Sequence, residues 1–256
     1  MHFHLPKPVH GWRGFFGEVG IIVVGVLIAL AAEELLTEFN WHRKAEVGEA
    51  ALKSEAEESS QAYVEQLTVG PCILAQIEDL RSRVLSHEGL GHVQTYDSSL
   101  GRSVIRAPSR TYSSDVWSSQ LADGTAAHMK TSRQQATASY YAQLAGLIAG
   151  DSEAENMRDG LVVLADPITM DARQRFDILQ TLGRLRNQTT GQMLAAKQLL
   201  AQLRDLGRLA PPSTLEKYVE QSKTRGTARM CAERNFPLGD WHRELASETV
   251  KPVPSL

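Results

Sequence analysis

The stretch "GEVGIIVVGVLIALAAEELL", residues 17–36, constrains this chain more than any other. No polar side chain interrupts it between Val19 and Ala32. As a helix that run is about 21 Å long, short of the ~30 Å hydrocarbon core of a bilayer. Its flanks extend it: Phe15 to Leu36 spans about 33 Å, enough to cross. Glu18, Glu33 and Glu34 lie near the ends, where interfacial placement keeps the cost of a carboxylate low. The apolar residues cover every face, whereas a soluble surface helix would show a polar stripe. Trp12 and Phe15 at one boundary, and Phe39 and Trp41 at the other, resemble interfacial aromatic belts. The expectation is an uncleaved transmembrane helix over 14–36, with a cytoplasmic segment 1–13 before it and an extracytoplasmic helical domain over 37–256 with a flexible C-terminal tail.

Two rival readings stay open at this point. Ala29-Leu30-Ala31 fits an A-x-A signal cleavage pattern, and a soluble core helix is also apolar. Against cleavage, the n-region would be long and would end in Glu18, and no helix breaker precedes the cut. Orientation follows from basic residues near the ends. Lys7 and Arg13 precede the span, with His2, His4 and His10, whereas Glu33, Glu34 and Glu38 follow it directly. The contrast places the N-terminus in the cytoplasm of a bacterial cell and the domain outside the inner membrane, in the periplasm. Cys72 and Cys231 would then be free to form a disulfide; two separate buried thiols is the other reading.

The remaining chain reads as helices. Ala45, Leu52, Ala56, Tyr63 and Leu67 form one apolar stripe, with a break expected at Gly70-Pro71. A second helix then starts at Pro71, with Ile73, Ile77, Leu80 and Val84 on its inner face. Residues 89–111 read as a long loop rich in Gly, Ser and Arg. Helices follow over about 113–122, 131–164 (with a break or kink at Gly150-Asp151), 171–206 and 213–223, and then turns to the end. The fold class expected is all-α: the N-terminal span followed by an antiparallel helical bundle.

Chemical motifs are few. The chain is 256 residues long, 42% hydrophobic and 22% charged, so it can bury a core. A net charge of -3 disfavours a nucleic-acid partner. His87-Glu88-Gly89-Leu90-Gly91-His92 has one residue too many for HExxH, so no metal is assigned to it, nor to His2, His4 and His10. There is no GxSxG, Walker A or GxGxxG motif, and no cofactor is expected. Arg102, Arg106 and Arg110 recur every fourth residue; in a helix induced by a ligand they would align as an anion-binding set, and a solvated basic loop is the other reading. Gly25 and Ala29 fit a small-xxx-small contact between membrane helices, and so a homo-oligomer or a membrane protein partner; small residues merely tolerated in lipid is the other reading. Glu55, Glu57 and Glu58 read as a solvated helix face, and the sequon at Asn187 falls mid-helix.

"GEVGIIVVGVLIAL" beside "WHRKAEVGEAALKSE" is similar to a group of uncharacterised bacterial membrane proteins with one N-terminal span and a helical extracytoplasmic region. "YSSDVWSSQLADGTAAHM", followed by "ASYYAQL", resembles the middle of that group: an aromatic (Trp117), a small turn (Asp123-Gly124) and a Tyr pair (Tyr140-Tyr141). The resemblance covers about a third of the chain and implies a topology without a reaction. The leading expectation is a non-enzymatic, membrane-tethered interaction or assembly domain with the lipid bilayer as its first partner. The alternative is a sensor for a small anionic ligand that acts through a membrane partner. A membrane-bound hydrolase is the third reading, since catalytic groups can assemble from distant positions.

Overall fold

The computed structural model describes residues 12–86, 93–98, 101–166, 169–224 and 226–246. One helix, α1 (Trp12–Leu85), runs for 74 residues. At 1.5 Å per residue it is about 111 Å long. Its first third packs against nothing: Ile21 is 76% exposed, Ile28 65% and Leu35 72%. From Trp41 onward the same helix sinks into the fold, and Leu52, Tyr63, Val64 and Ile77 are fully buried.

Pro71 lies inside α1, and the break expected at Gly70-Pro71 does not occur. Tertiary packing overrides the local penalty, because both halves of α1 bury their stripes in one bundle. Met193 fills the space where a Gly70 side chain would sit, so Gly70 serves close packing and not a turn.

Two further long helices complete the bundle. α3 (Thr131–Gly160) and α4 (Ala172–Asp205) follow a short α2 (Asp115–Ala122). Asp171 caps α4 through a capping box with Gln174, which explains its sharp start. α4 runs antiparallel to α1: Arg175 near its start donates to Val84 O, and Arg208 beyond its end binds Glu49. It also runs antiparallel to α3, through Gln192 to Asp151 and Gln202 to Gln143. α1 and α3 are therefore parallel, which demands a long return connection between them.

That connection is pinned along α1. A two-stranded hairpin, β1 (Tyr96–Ser98) and β2 (Gly101–Ser103), occupies part of the expected loop. Then Arg106 bonds to Gln76, Arg110 pairs with Glu65, Ser113 bonds to Glu55, and Gln120 to the carbonyl of Gly48. Each step forward in this segment is a step back along α1. α3 continues through Gly150 without a break. A side chain there would collide with Gln188 of α4, so the glycine answers a close helix approach.

The helix expected over 213–223 is α5 (Pro212–Lys223), and the part after it, expected as turns, contains α6 (Gly226–Glu233) and α7 (Trp241–Ala246). Cys72 of α1 and Cys231 of α6 form a disulfide. The buried apolar residues separate into two main groups along α1. One surrounds Leu52, Tyr63, Trp117, Tyr141 and Leu199; the other surrounds Ile73, Ile77, Ile105, Leu164 and Leu182. The domain is all-α apart from the hairpin.

Candidate functional site

The return segment lies beside α3 around Glu155 and Arg158. Two adjoining grooves open there. The first, about 280 Å³, has Arg102, Arg106 and Arg158 on its walls, with Asp97, Glu155 and Asp159 among them. The second, about 260 Å³, is walled by Arg110, Tyr112, Asp151, Ser152, Glu155 and Arg158, with Ile148 as its apolar side. Ser109, Glu155 and Arg158 belong to both.

The three arginines singled out by their spacing are not aligned. The segment is a hairpin followed by bends and irregular chain, so residues four apart share no helical face. Arg102 projects from β2 into solvent. Arg106 lies over the Tyr96 ring at 6.0 Å, and its backbone is held on both sides by the Gln76 amide. Arg110 turns inward: its side chain is only 5% exposed, and its Nε lies 3.4 Å from Oε2 of Glu65. The structure thus gives two of them to the first groove and one to the second. Three carboxylates match the three guanidiniums of the first groove, so its walls carry no net positive charge.

The second groove has unmet hydrogen-bonding capacity. Nη2 of Arg110 is buried and makes no hydrogen bond within the protein, whereas its Nε is ion-paired with Glu65 and the Tyr112 hydroxyl interacts with the Asp151 carboxyl. Asp151 Oδ1 accepts from Gln192 Nε2 at 2.6 Å. Burial pushes the Asp151 carboxyl above its usual range, against the pull of the Arg110 charge. Burial likewise lowers the Arg158 guanidinium and raises the Tyr112 phenol. No His or Cys lines either groove.

Glu65, Tyr112, Asp151 and Arg158 escaped sequence reasoning. They come from separate elements, and no spacing rule links residues 65, 110 and 151. Glu55 was also misread. It is 6% exposed, whereas Glu57 and Glu58 do face outward. The signal was present, since Glu55 is three residues from Leu52 and shares its face. Its carboxylate accepts from Ser113 Oγ at 2.8 Å, Val116 N–H at 3.0 Å and the Tyr141 hydroxyl.

That carboxylate organises a collar around α1 just beyond its bare apolar part. Trp117 stacks on Tyr141 at 5.7 Å, Tyr140 meets Tyr141 edge-on at 4.8 Å, and Tyr63 and Tyr140 share a hydrogen bond of 2.9 Å. Nearer the apolar part, Lys44 pairs with Asp123 at 3.0 Å and Trp41 stacks on His128 at 4.1 Å. Gly124 makes the tight turn between them with a left-handed φ of 79°. Hydrogen bonds from Thr125 and the Lys44 charge hold Asp123 down to a pKa of about 2.

Gly25 and Ala29 lie on the bare part of α1, where a side chain added at Gly25 would meet no atom within 4 Å. The histidines at 2, 4 and 10 and the motif from His87 to His92 fall outside the described residues. Among the described residues no three His, Cys, Asp or Glu side chains gather as a metal site. No family model matches this chain, and no curated protein or solved structure matches it either.

Proposed function

We propose that the chain is a non-enzymatic, single-pass membrane protein whose helical domain serves interaction or assembly on the far side of a bacterial inner membrane. The observation that carries this reading is the continuity of α1, whose first part is apolar on all faces and unburied and whose second part is the central strut of the bundle. Each large apolar side chain left in water forgoes about 1.5–3 kcal/mol. Over Phe15 to Leu36 that sum exceeds the ~5–15 kcal/mol net stability of a whole domain. Lipid would cover such a helix on every side, and its exposure in the folded chain supports that reading over a buried core position. The collar at Trp41, Lys44 and His128 then sits at the interface, where Trp and Lys are favoured. The disulfide fits a domain in an oxidising compartment. The resemblance to bacterial proteins of this topology points the same way.

Cysteine labelling in intact bacterial cells tests this. His4→Cys should react only with a permeant maleimide, and His242→Cys also with an impermeant one. Recovery of the intact chain in a detergent-free, high-speed supernatant contradicts the proposal.

A second reading is favoured by one observation, the buried Arg110 of the second groove, whose Nη2 is left without a partner. On this reading the domain binds a small solute there and signals through a membrane partner. Binding of any small charged solute at one site per chain, lost on substituting Asp151, supports it.

A further inference from the structure

The buried polar groups around the second groove differ in what they require. Arg110 Nε and Nη2 are donors on a cation, Asp151 Oδ2 is an acceptor on a carboxyl group, and the Tyr112 hydroxyl serves either way. All three residues line the same space of about 260 Å³. Buried groups of this kind are costly to leave unmatched, so the space is built to receive polar atoms.

The charge around it decides which ones. Arg110 and Arg158 face Glu65, Asp151 and Glu155, two cations against three carboxylates. A bare anion would satisfy Arg110 Nη2 but add negative charge beside Asp151 and Glu155. A bare cation would leave Arg110 Nη2 unmatched, since only its Nε is paired with Glu65. A molecule carrying both an acceptor and a donor answers both signs of charge at once. Ile148 and the Tyr112 ring offer an apolar wall to a short side chain. The space lies below the ~300–1,000 Å³ of pockets for drug-sized ligands, so its occupant is small.

From these groups we infer that the second groove binds a small zwitterion of the α-amino-acid class, with its carboxylate on Arg110 and Arg158 and its ammonium on Asp151 and Glu155. This rests on the second reading above and replaces the anion expected from Arg102, Arg106 and Arg110. Those three cannot act together on one small ligand, because Arg102 and Arg106 belong to the neighbouring groove.

Isothermal titration calorimetry on the full chain in detergent micelles tests the inference, with each standard L-amino acid in turn. Acetate, inorganic phosphate and methylammonium serve as singly functional probes. At least one amino acid should bind at one site per chain, and the three probes about tenfold or more weaker, a gap of one charge-assisted contact. Glu155→Gln, at the exposed rim, should weaken that binding about tenfold without moving the melting temperature. Asp151→Asn should weaken it at least as much. Acetate or phosphate binding as tightly as any amino acid overturns the zwitterion and leaves the second reading standing. Absence of binding by every probe overturns both, with the buried atoms then matched by water. Amino-acid binding unchanged in both variants overturns the assignment to this groove.

Discussion

The backbone N–H of Gly239 donates to the carbonyl oxygen of Thr68 at 2.8 Å, beside the proline in the middle of α1. Pro71 has no N–H for the carbonyl of Leu67, so the helix ladder is interrupted there. Gly239 lies directly on that carbonyl. One residue further along, Cys72 is bonded to Cys231. The C-terminal segment is thus fixed to α1 on both sides of Pro71, at Thr68 and at Cys72.

Gly239→Val should therefore destabilise the domain, since a Cβ would run into the Leu67 carbonyl. The expected loss is about 1–3 kcal/mol, the usual cost of overpacking. Urea unfolding measures it, and limited proteolysis should cut first after α5. Wild-type stability in this variant would show that the close approach is not required.

The disulfide closes a loop with a sequence separation of 159. Cys231→Ser should lower stability by about 2–5 kcal/mol. Wild-type protein should migrate faster on a non-reducing gel than after reduction, and its melting temperature should fall with dithiothreitol. Identical melts with and without reductant would refute the contribution.

Glu49 predicts an acid limb. Burial raises its carboxyl, but hydrogen bonds from Arg208 and Arg133 outweigh that and bring it below its ordinary value of 4.5. Its contribution is complete above that value and is lost as pH falls through the lower folded value. Arg208 is only 1% exposed and has Thr137 as its other side-chain partner. Glu49→Gln should cost about 2–4 kcal/mol at neutral pH by leaving that charge buried and unmatched. It should also flatten the fall in melting temperature below pH 4.5. An unchanged acid limb in the variant would assign it to other carboxylates.

Glu55→Ala removes the acceptor for Ser113, Val116 and Tyr141 together. A loss of about 2–4 kcal/mol is expected, from donors left unmatched in a buried site. Trp117 fluorescence should shift to the red as its stack on Tyr141 loosens. An unshifted spectrum would place the organising contact elsewhere.

Much of this architecture was readable in one dimension. The stripe of α4 was expected from Ile178, Leu182, Leu185, Thr189, Ala196, Leu199, Leu203 and Leu206; Ile178 and Leu206, near its ends, are half-buried and the other six are buried. The turn at Gly124 and the cap at Asp171 were local, because a few neighbouring residues fix their backbone. Pro71, Gly150 and the final helices were misjudged. Beside Pro71 a contact comes from Gly239, and at Gly150 from Gln188, both remote in sequence.

The sequence by itself determined the helices and the bare apolar start of α1, because hydrophobic periodicity and its absence depend only on near neighbours. Tertiary structure alone decided that α1 is one rod, that Cys72 meets Cys231, and that Arg110, Tyr112 and Asp151 share a groove while Arg102 and Arg106 lie outside it. The physical reason is that burial and charge pairing act through space. Residues 65, 110 and 151 acquire a common chemistry only when the return segment is laid back along α1.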